Sequence, residues 1–241
     1  MSTKNKKKFI LTVVLFMLFA AFTVLTAKVD VKPIGPKESE VGLASLNQFV
    51  FQLSGVNLFW YHLTDWLGVI AVLTAVGFAV LGMYQLVKRR SLFQVDYRIL
   101  LLGVYYILVS AVYILFENFV INWRPVILHK SLEASYPSSH TMIVICIMGT
   151  AMMLFHHLLA GKKIWLRIAD GISLLLMGVT VAGRLISGVH WFTDILGGLI
   201  LSGAMLMLYS SMASFADEKR KRRTQKGGKL KNNGIIWCSM L

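Results

Sequence analysis

The sequence predicts an all-α, polytopic membrane protein, a bundle of about six transmembrane helices with both termini in the cytoplasm. Three observations lead there. Apolar residues make up 56% of the 241-residue chain and charged residues only 15%, and the mean hydropathy is +0.67. A soluble domain of that balance would leave too much apolar surface in water. The apolar residues are also gathered into runs of roughly 20, the length that crosses a bilayer as helix. Finally, the Lys and Arg residues cluster at 4–8, 88–90, 162–167 and 219–231, each cluster flanking an apolar run, as cytoplasmic anchors do.

The first run, 9–27, stands where a secretory signal would. It is long, and Leu25-Thr26-Ala27 is a poor small-x-small cleavage site, so an uncleaved signal anchor is expected. Leu43, Leu46, Phe49, Val50 and Leu53 then recur at helical spacing beside Asn47, Gln48 and Gln52, ahead of Trp60-Tyr61. This reads either as an amphipathic helix lying at the interface or as a packed connector. Further spans are expected at 66–87, 99–119, 140–159, 168–188 and 194–211. The stretch 217–233 is polar, basic and rich in Gly and Lys, which predicts a mobile cytoplasmic segment. No internal repeat or linker divides the chain. The expected organisation is one membrane domain over 1–216, its motif-bearing core at 99–211, and a basic tail over 217–241.

The formal charge of +14 does not point to nucleic acid, because no recognised binding motif accompanies it. Cys146 lies within an apolar run and Cys238 near the C-terminus, which argues against a disulfide framework. The terminal Cys238-Ser239-Met240-Leu241 fits the aliphatic pattern of a prenylation box poorly. His156 and His157 read as interfacial; His62 and His129 carry no assignment.

With the basic clusters inside, Arg124, Ser138, His140, Arg184, His190 and Asp194 all fall at outer helix ends or in outer loops. Residues scattered along the chain then converge on one membrane face. His190 and Asp194 are four apart, one turn on a shared helix face, so the carboxylate can reach the ring. A carboxylate on one ring nitrogen fixes the tautomer and leaves the other as base or nucleophile. Arg184 and Arg124 offer guanidinium forks for phosphoryl oxygens. An ordinary salt bridge at a span end would also account for Arg184 and Asp194. Pro137-Ser138-Ser139 reads as a helix cap or as an anion site at the same helix N-terminus, two readings that are compatible. Two His and an Asp also form a metal-ligand set, but the adjacent arginines favour an anion.

In order, the motifs are Arg124-Pro125, then Pro137-Ser138-Ser139-His140, then Gly183-Arg184-x5-His190-x3-Asp194. Over roughly 99–211 they resemble the type 2 phosphatidic acid phosphatase family. That family includes diacylglycerol pyrophosphate, undecaprenyl pyrophosphate and glucose-6-phosphate phosphatases. The resemblance implies a metal-independent, cofactor-free hydrolase of the cell membrane, acting on a lipid phosphate or pyrophosphate at the outer face. By the same resemblance, His190 is the nucleophile that becomes phosphohistidine, and Asp194 orients it. His140 protonates the departing oxygen and then activates water. Arg124, Arg184, Ser138 and the backbone N–H of Ser139 hold the phosphoryl oxygens. The alternative is a non-hydrolytic lipid-phosphate binder or transporter that keeps the pocket.

Three positions depart from the family signature. Ser139 stands for its second-motif Gly, Gly183 for its third-motif Ser, and Glu117 for its first-motif Lys. On a helix continuing through this stretch Glu117 and Arg124 are two turns apart on nearly the same face, so the carboxylate can pair with that guanidinium, either as a structural ion pair at the span end or as a modulator of phosphate affinity. The sequence selects neither the phosphate substrate nor an oligomeric state.

Overall fold

The computed structural model describes residues 1–128 and 130–238, with the backbone alone at 224 and 226–238. His129 and the residues after Cys238 lie outside the described residues. Among the described residues there are seven α-helices: α1 (Thr3–Lys28), α2 (Ala44–Ser54), α3 (Leu58–Arg89), α4 (Tyr97–Asn118), α5 (Ser139–Leu158), α6 (Lys163–Ile186) and α7 (Phe192–Cys238). All but α2 are long and apolar enough to cross a bilayer, α7 over Phe192–Arg223. The six expected spans are therefore present.

Local chemistry sets the helix starts. Ser2 Oγ accepts from the Asn5 N–H at 3.3 Å, and Asp96 Oδ1 accepts from the Arg98 N–H at 2.9 Å. Asn57 Oδ1 accepts from the N–H groups of Phe59 and Trp60 at 3.1 and 3.3 Å. Such caps each contribute about 1 kcal/mol. The Asn57 cap starts α3 at Leu58, ahead of the expected 66, and this carries Asp65 into the helix. At the other end, the expected separate tail continues the backbone of α7 to Cys238.

Helices α5 and α7 form the centre. About half of the most apolar window is buried in each (56% and 50%), against 11–22% in the other four spans. Accordingly α5 packs against α3, α4, α6 and α7. The outer faces stay apolar, with Val13, Met17, Val80, Ile107 and Leu175 all exposed, because lipid solvates them as well as a core would. Inside, hydroxyls donate to carbonyls one turn back: Thr150 to Cys146 at 2.7 Å and Ser202 to Gly198 at 2.6 Å.

The bundle has chemically distinct ends. Near one end, Lys8 Nζ donates to Ser210 and Ser214, Arg98 pairs with Asp217, and His157 with Asp96. At the opposite end the loops after α1, α4 and α6 meet, tied by the Gly42 N–H to Asn122 Oδ1 at 3.3 Å and by Trp191 Nε1 to the Trp123 carbonyl at 2.7 Å. There α2 buries Asn47 and exposes Leu46, Phe49 and Leu53. Gln48 and Gln52 are exposed beside them, while Ala44 is buried and Phe51 packs on Trp191, so the helix sets apolar and polar groups outward together, as at an interface.

Candidate active site

Loop pairing, not helix, positions the first motif. After α4 ends, the Arg124 N–H donates to the Glu133 carbonyl at 3.0 Å and the Ser135 N–H to the Asn122 carbonyl at 2.9 Å. Trp191 Nε1 fastens this ladder by donating to the Trp123 carbonyl at 2.7 Å. Because α4 stops at Asn118, the expected two-turn relation between Glu117 and Arg124 does not hold. The carboxylate beside Arg124 is that of Glu133, with Oε2 3.2 Å from Nη1. Glu117 is exposed and lines a small cavity with Tyr113, Ser135 and Ser139.

Ser138 takes the N-cap position of α5, but its side chain makes no capping bond. Its N–H instead donates to the Asp194 carbonyl at 2.9 Å, tying the second motif to the third. Ser139 opens the helix without a positive φ, so the glycine of the family signature is not needed there. The N–H groups of that first turn have no intrahelical acceptor.

The third motif spans the α6–α7 corner. Arg184 is fully buried in the last turn of α6, where Asp65 of α3 pairs with its Nη2 and the Tyr61 ring lies 5.1 Å from its Cζ. Gly183 sits where α3 crosses. A Cβ there would come within 2.5 Å of Thr64 Cγ2 and 3.0 Å of Trp60, which accounts for glycine in place of serine. Next comes Gly188 at φ +64°, where a side chain would collide with the Gly55 carbonyl.

His190 lies in this corner and not on α7, which begins at Phe192. The expected i, i+4 helical pairing is therefore corrected. The chain folds back so that Asp194 Oδ2 accepts from the Trp191 N–H at 2.8 Å, an N-terminal cap from the third helical position. Asp194 Oδ2 lies 3.9 Å from His190 Nδ1, and Ser135 bridges them. The Ser135 hydroxyl donates to Asp194 and lies 3.1 Å from His190 Nδ1. The Ser135 carbonyl, an acceptor only, is 3.2 Å from the same nitrogen. A proton on Nδ1 satisfies it, and the lone pair of the ring then sits on Nε2. Asn122 donates to Asp194 Oδ1 at 3.2 Å, so the buried carboxylate is held by three donors.

Together five side chains leave seven buried polar atoms without a hydrogen-bond partner. They are Nε and Nη1 of Arg124, Nε and Nη1 of Arg184, Ser138 Oγ, His140 Nδ1 and His190 Nε2. Of these, Arg124 Nη1 still meets Glu133 as an ion pair. Burying a polar group unpaired costs roughly 1–3 kcal/mol, and a gathering of such groups rich in guanidinium donors suits an oxyanion ligand. His190 is pushed well below the ordinary histidine pKa, first by burial and then by the charges of Arg124, Arg184 and His140. Both arginines and the second histidine are thus close enough to act on its charge. A neutral, buried imidazole with a free Nε2 can serve as a nucleophile.

Of the site residues expected from sequence, Arg124, Ser138, His140, Arg184 and His190 supply the unpartnered atoms, Asp194 buttresses His190 through Ser135, Ser139 opens α5, and Glu117 stands apart. Sequence reasoning missed Asp65, Asn122, Ser135 and Glu133. Asp65 has a signal, being the sole acidic residue of α3, where a carboxylate is costly without a partner. The other three sit in loops and carry none. Among the described residues no cluster of His, Cys, Asp and Glu is arranged to hold a metal ion. His156 and His157 lie at the far end of α5, against Asp170 and Asp96.

The family model described as PAP2 superfamily matches residues 98–217. Phosphatidylglycerophosphatase B of Bacillus subtilis (strain 168) is 37% identical over 103 residues, 42% of this chain and 47% of that protein. The chain thus matches about half the length of that relative. A crystal structure of a transmembrane PAP2-type phosphatidylglycerolphosphate phosphatase from Bacillus subtilis superposes with a TM-score of 0.57, at 16% identity. The superposition covers 84% of this chain and 96% of that one.

Proposed function

The chain belongs to the PAP2 superfamily, and from that premise we propose that it is a membrane phosphatase that cleaves a lipid phosphate through a phosphohistidine at His190. The observation that carries this reading is the unpartnered Nε2 of His190, gathered with buried guanidinium, hydroxyl and imidazole atoms that also lack hydrogen bonds.

In the proposed reaction the Nε2 lone pair attacks phosphorus while the bond to the leaving oxygen breaks. The departing oxygen takes the bond's electrons and a proton from His140. Water then attacks the phosphohistidine, giving a proton to His140. The P–N bond breaks, Nε2 recovers its lone pair, and inorganic phosphate leaves. Arg124 and Arg184 stabilise charge on the equatorial oxygens, which supplies most of the catalysis in phosphoryl transfer. Ser135 and Asp194 hold Nδ1, so that Nε2 faces the phosphorus.

A lipid is favoured by the surroundings. A cleft of about 330 Å³ between α3, α4 and α5 reaches His140 and is walled by Val69, Val72, Leu73, Ile143 and Val144. An acyl chain fits that wall while its headgroup meets the arginines. The charged groups of the site collect at one end of the bundle, which favours hydrolysis over transport. With the basic clusters at the other end, the positive-inside rule favours a site on the extracytoplasmic face of the cell membrane. The relative's printed name makes phosphatidylglycerophosphate the first substrate to try.

The test is phosphate release by purified protein from phosphatidylglycerophosphate, phosphatidate, undecaprenyl pyrophosphate and soluble esters. A water-soluble ester is also supplied to the outside of sealed right-side-out vesicles. Turnover of a lipid substrate, and of the external ester, is expected; both should vanish in His190→Ala. Release from no member of the panel would overturn the phosphatase reading. Hydrolysis of the ester only after permeabilisation would reverse the orientation.

A further inference from the structure

The site contains a second carboxylate–imidazole pair, whose carboxylate comes from outside the three motifs. Asp65 Oδ1 lies 3.1 Å from His140 Nε2, and the same oxygen pairs with Arg184. At His190 a carboxylate buttresses Nδ1, through Ser135, and Nε2 is unpartnered. At His140 a carboxylate buttresses Nε2, and Nδ1 is unpartnered. Each imidazole thus has one nitrogen anchored and one presented.

We infer that Asp65 is the positioning residue for His140, fixing the ring so that Nδ1 faces the leaving oxygen, and that it joins this proton donor to the phosphate-holding Arg184. This rests on the phosphatase reading and deepens it. Its physical basis is the tautomer rule: an imidazole bonded to a carboxylate through Nε2–H must exchange its reactive proton at Nδ1. Without that bond the ring is free to turn about its side-chain torsions, and proximity is lost where a shift of about 1 Å matters.

Two features fix the ring in this pose. Gly68 follows Asp65 by three residues and lies on the same face of α3. A Cβ built there would stand only 3.3 Å from His140 Cδ2, so the imidazole lies against the α3 backbone. The second feature is Asp65 itself, partly exposed at the cleft of about 330 Å³ that it lines with His140. The carboxylate therefore lies at the cleft and holds Nε2, leaving Nδ1 as the other face of the ring.

The test compares first-turnover rates of the full-length, detergent-solubilised protein on two substrates, an aryl phosphate and an alkyl lipid phosphate. The aryl leaving group departs without help, whereas the alkoxide needs a proton. In Asp65→Asn, release of the alkyl alcohol should slow by roughly 10- to 100-fold, while the phenol burst stays within about threefold. Phosphoenzyme should then accumulate from the aryl substrate, because its hydrolysis needs His140 as base. Asp65→Glu, which keeps the carboxylate beside Arg184, should retain vanadate binding and recover part of the alkyl rate. Equal slowing on both substrates, or no slowing on either, would overturn the inference. If Asp65→Asn does not fold, Asp65→Ser is measured in the same way. Turnover or burst in His190→Ala would instead count against the phosphohistidine mechanism on which the inference rests, leaving Asp65 aside.

Discussion

Burying an imidazole among two guanidinium groups and a second imidazole costs stability, and at His190 that cost is tied to reactivity. The folded protein keeps the ring neutral well below its ordinary pKa of 6.5, through burial and the neighbouring cations. The unfolded chain protonates near 6.5, so below that pH it binds a proton that the folded state refuses. Stability then falls as pH drops through 6.5, by up to about 1.4 kcal/mol per pH unit, and levels off above it. Thermal unfolding at pH 5 and pH 7 checks this, with His190→Asn as the comparison. The wild-type melting temperature should fall more on acidification than that of the variant; equal falls would mean that His190 is not held neutral.

Among the elements, the spans are legible in the sequence because a run of about 20 apolar residues has no other stable use. The order of Arg124, His140, Arg184, His190 and Asp194 is legible as a motif set. The mode of their assembly is not. Spacing alone suggests a helical His190–Asp194 pair, whereas the corner before α7 brings them together with Ser135 between them. Ser135 and Asn122 act through a loop ladder that no periodicity announces. Asp65 escapes notice because the apolar run is read from 66, one residue too late. Gly183 gives a further check at this scale, since α3 and α6 touch there through Trp60 and Thr64. Gly183→Ser should destabilise the protein by about 1–3 kcal/mol through overpacking, read as a lower melting temperature in detergent. A serine variant of unchanged stability and higher activity would show that the helices give way.

Across the whole molecule, the chain separates its polar chemistry by end. The Arg98–Asp217 and His157–Asp96 pairs lie at one end, and the unbonded polar atoms of Arg124, Arg184, Ser138 and the two histidines lie at the other. Between them α5 and α7 carry the buried core, so the loops that build the site rest on the best-packed part of the bundle. The backbone bond from Ser138 to Asp194 fixes the two helix starts against each other. If this arrangement makes His190 Nε2 a nucleophile, the bond it forms can be trapped. The most direct measurement is to quench the purified protein in base during turnover of a phosphorus-labelled substrate and map the label. Phosphohistidine is stable in base and labile in acid, so the expected result is a base-stable label on His190, absent from His190→Ala. A label on another residue, or steady turnover by His190→Ala, would contradict it.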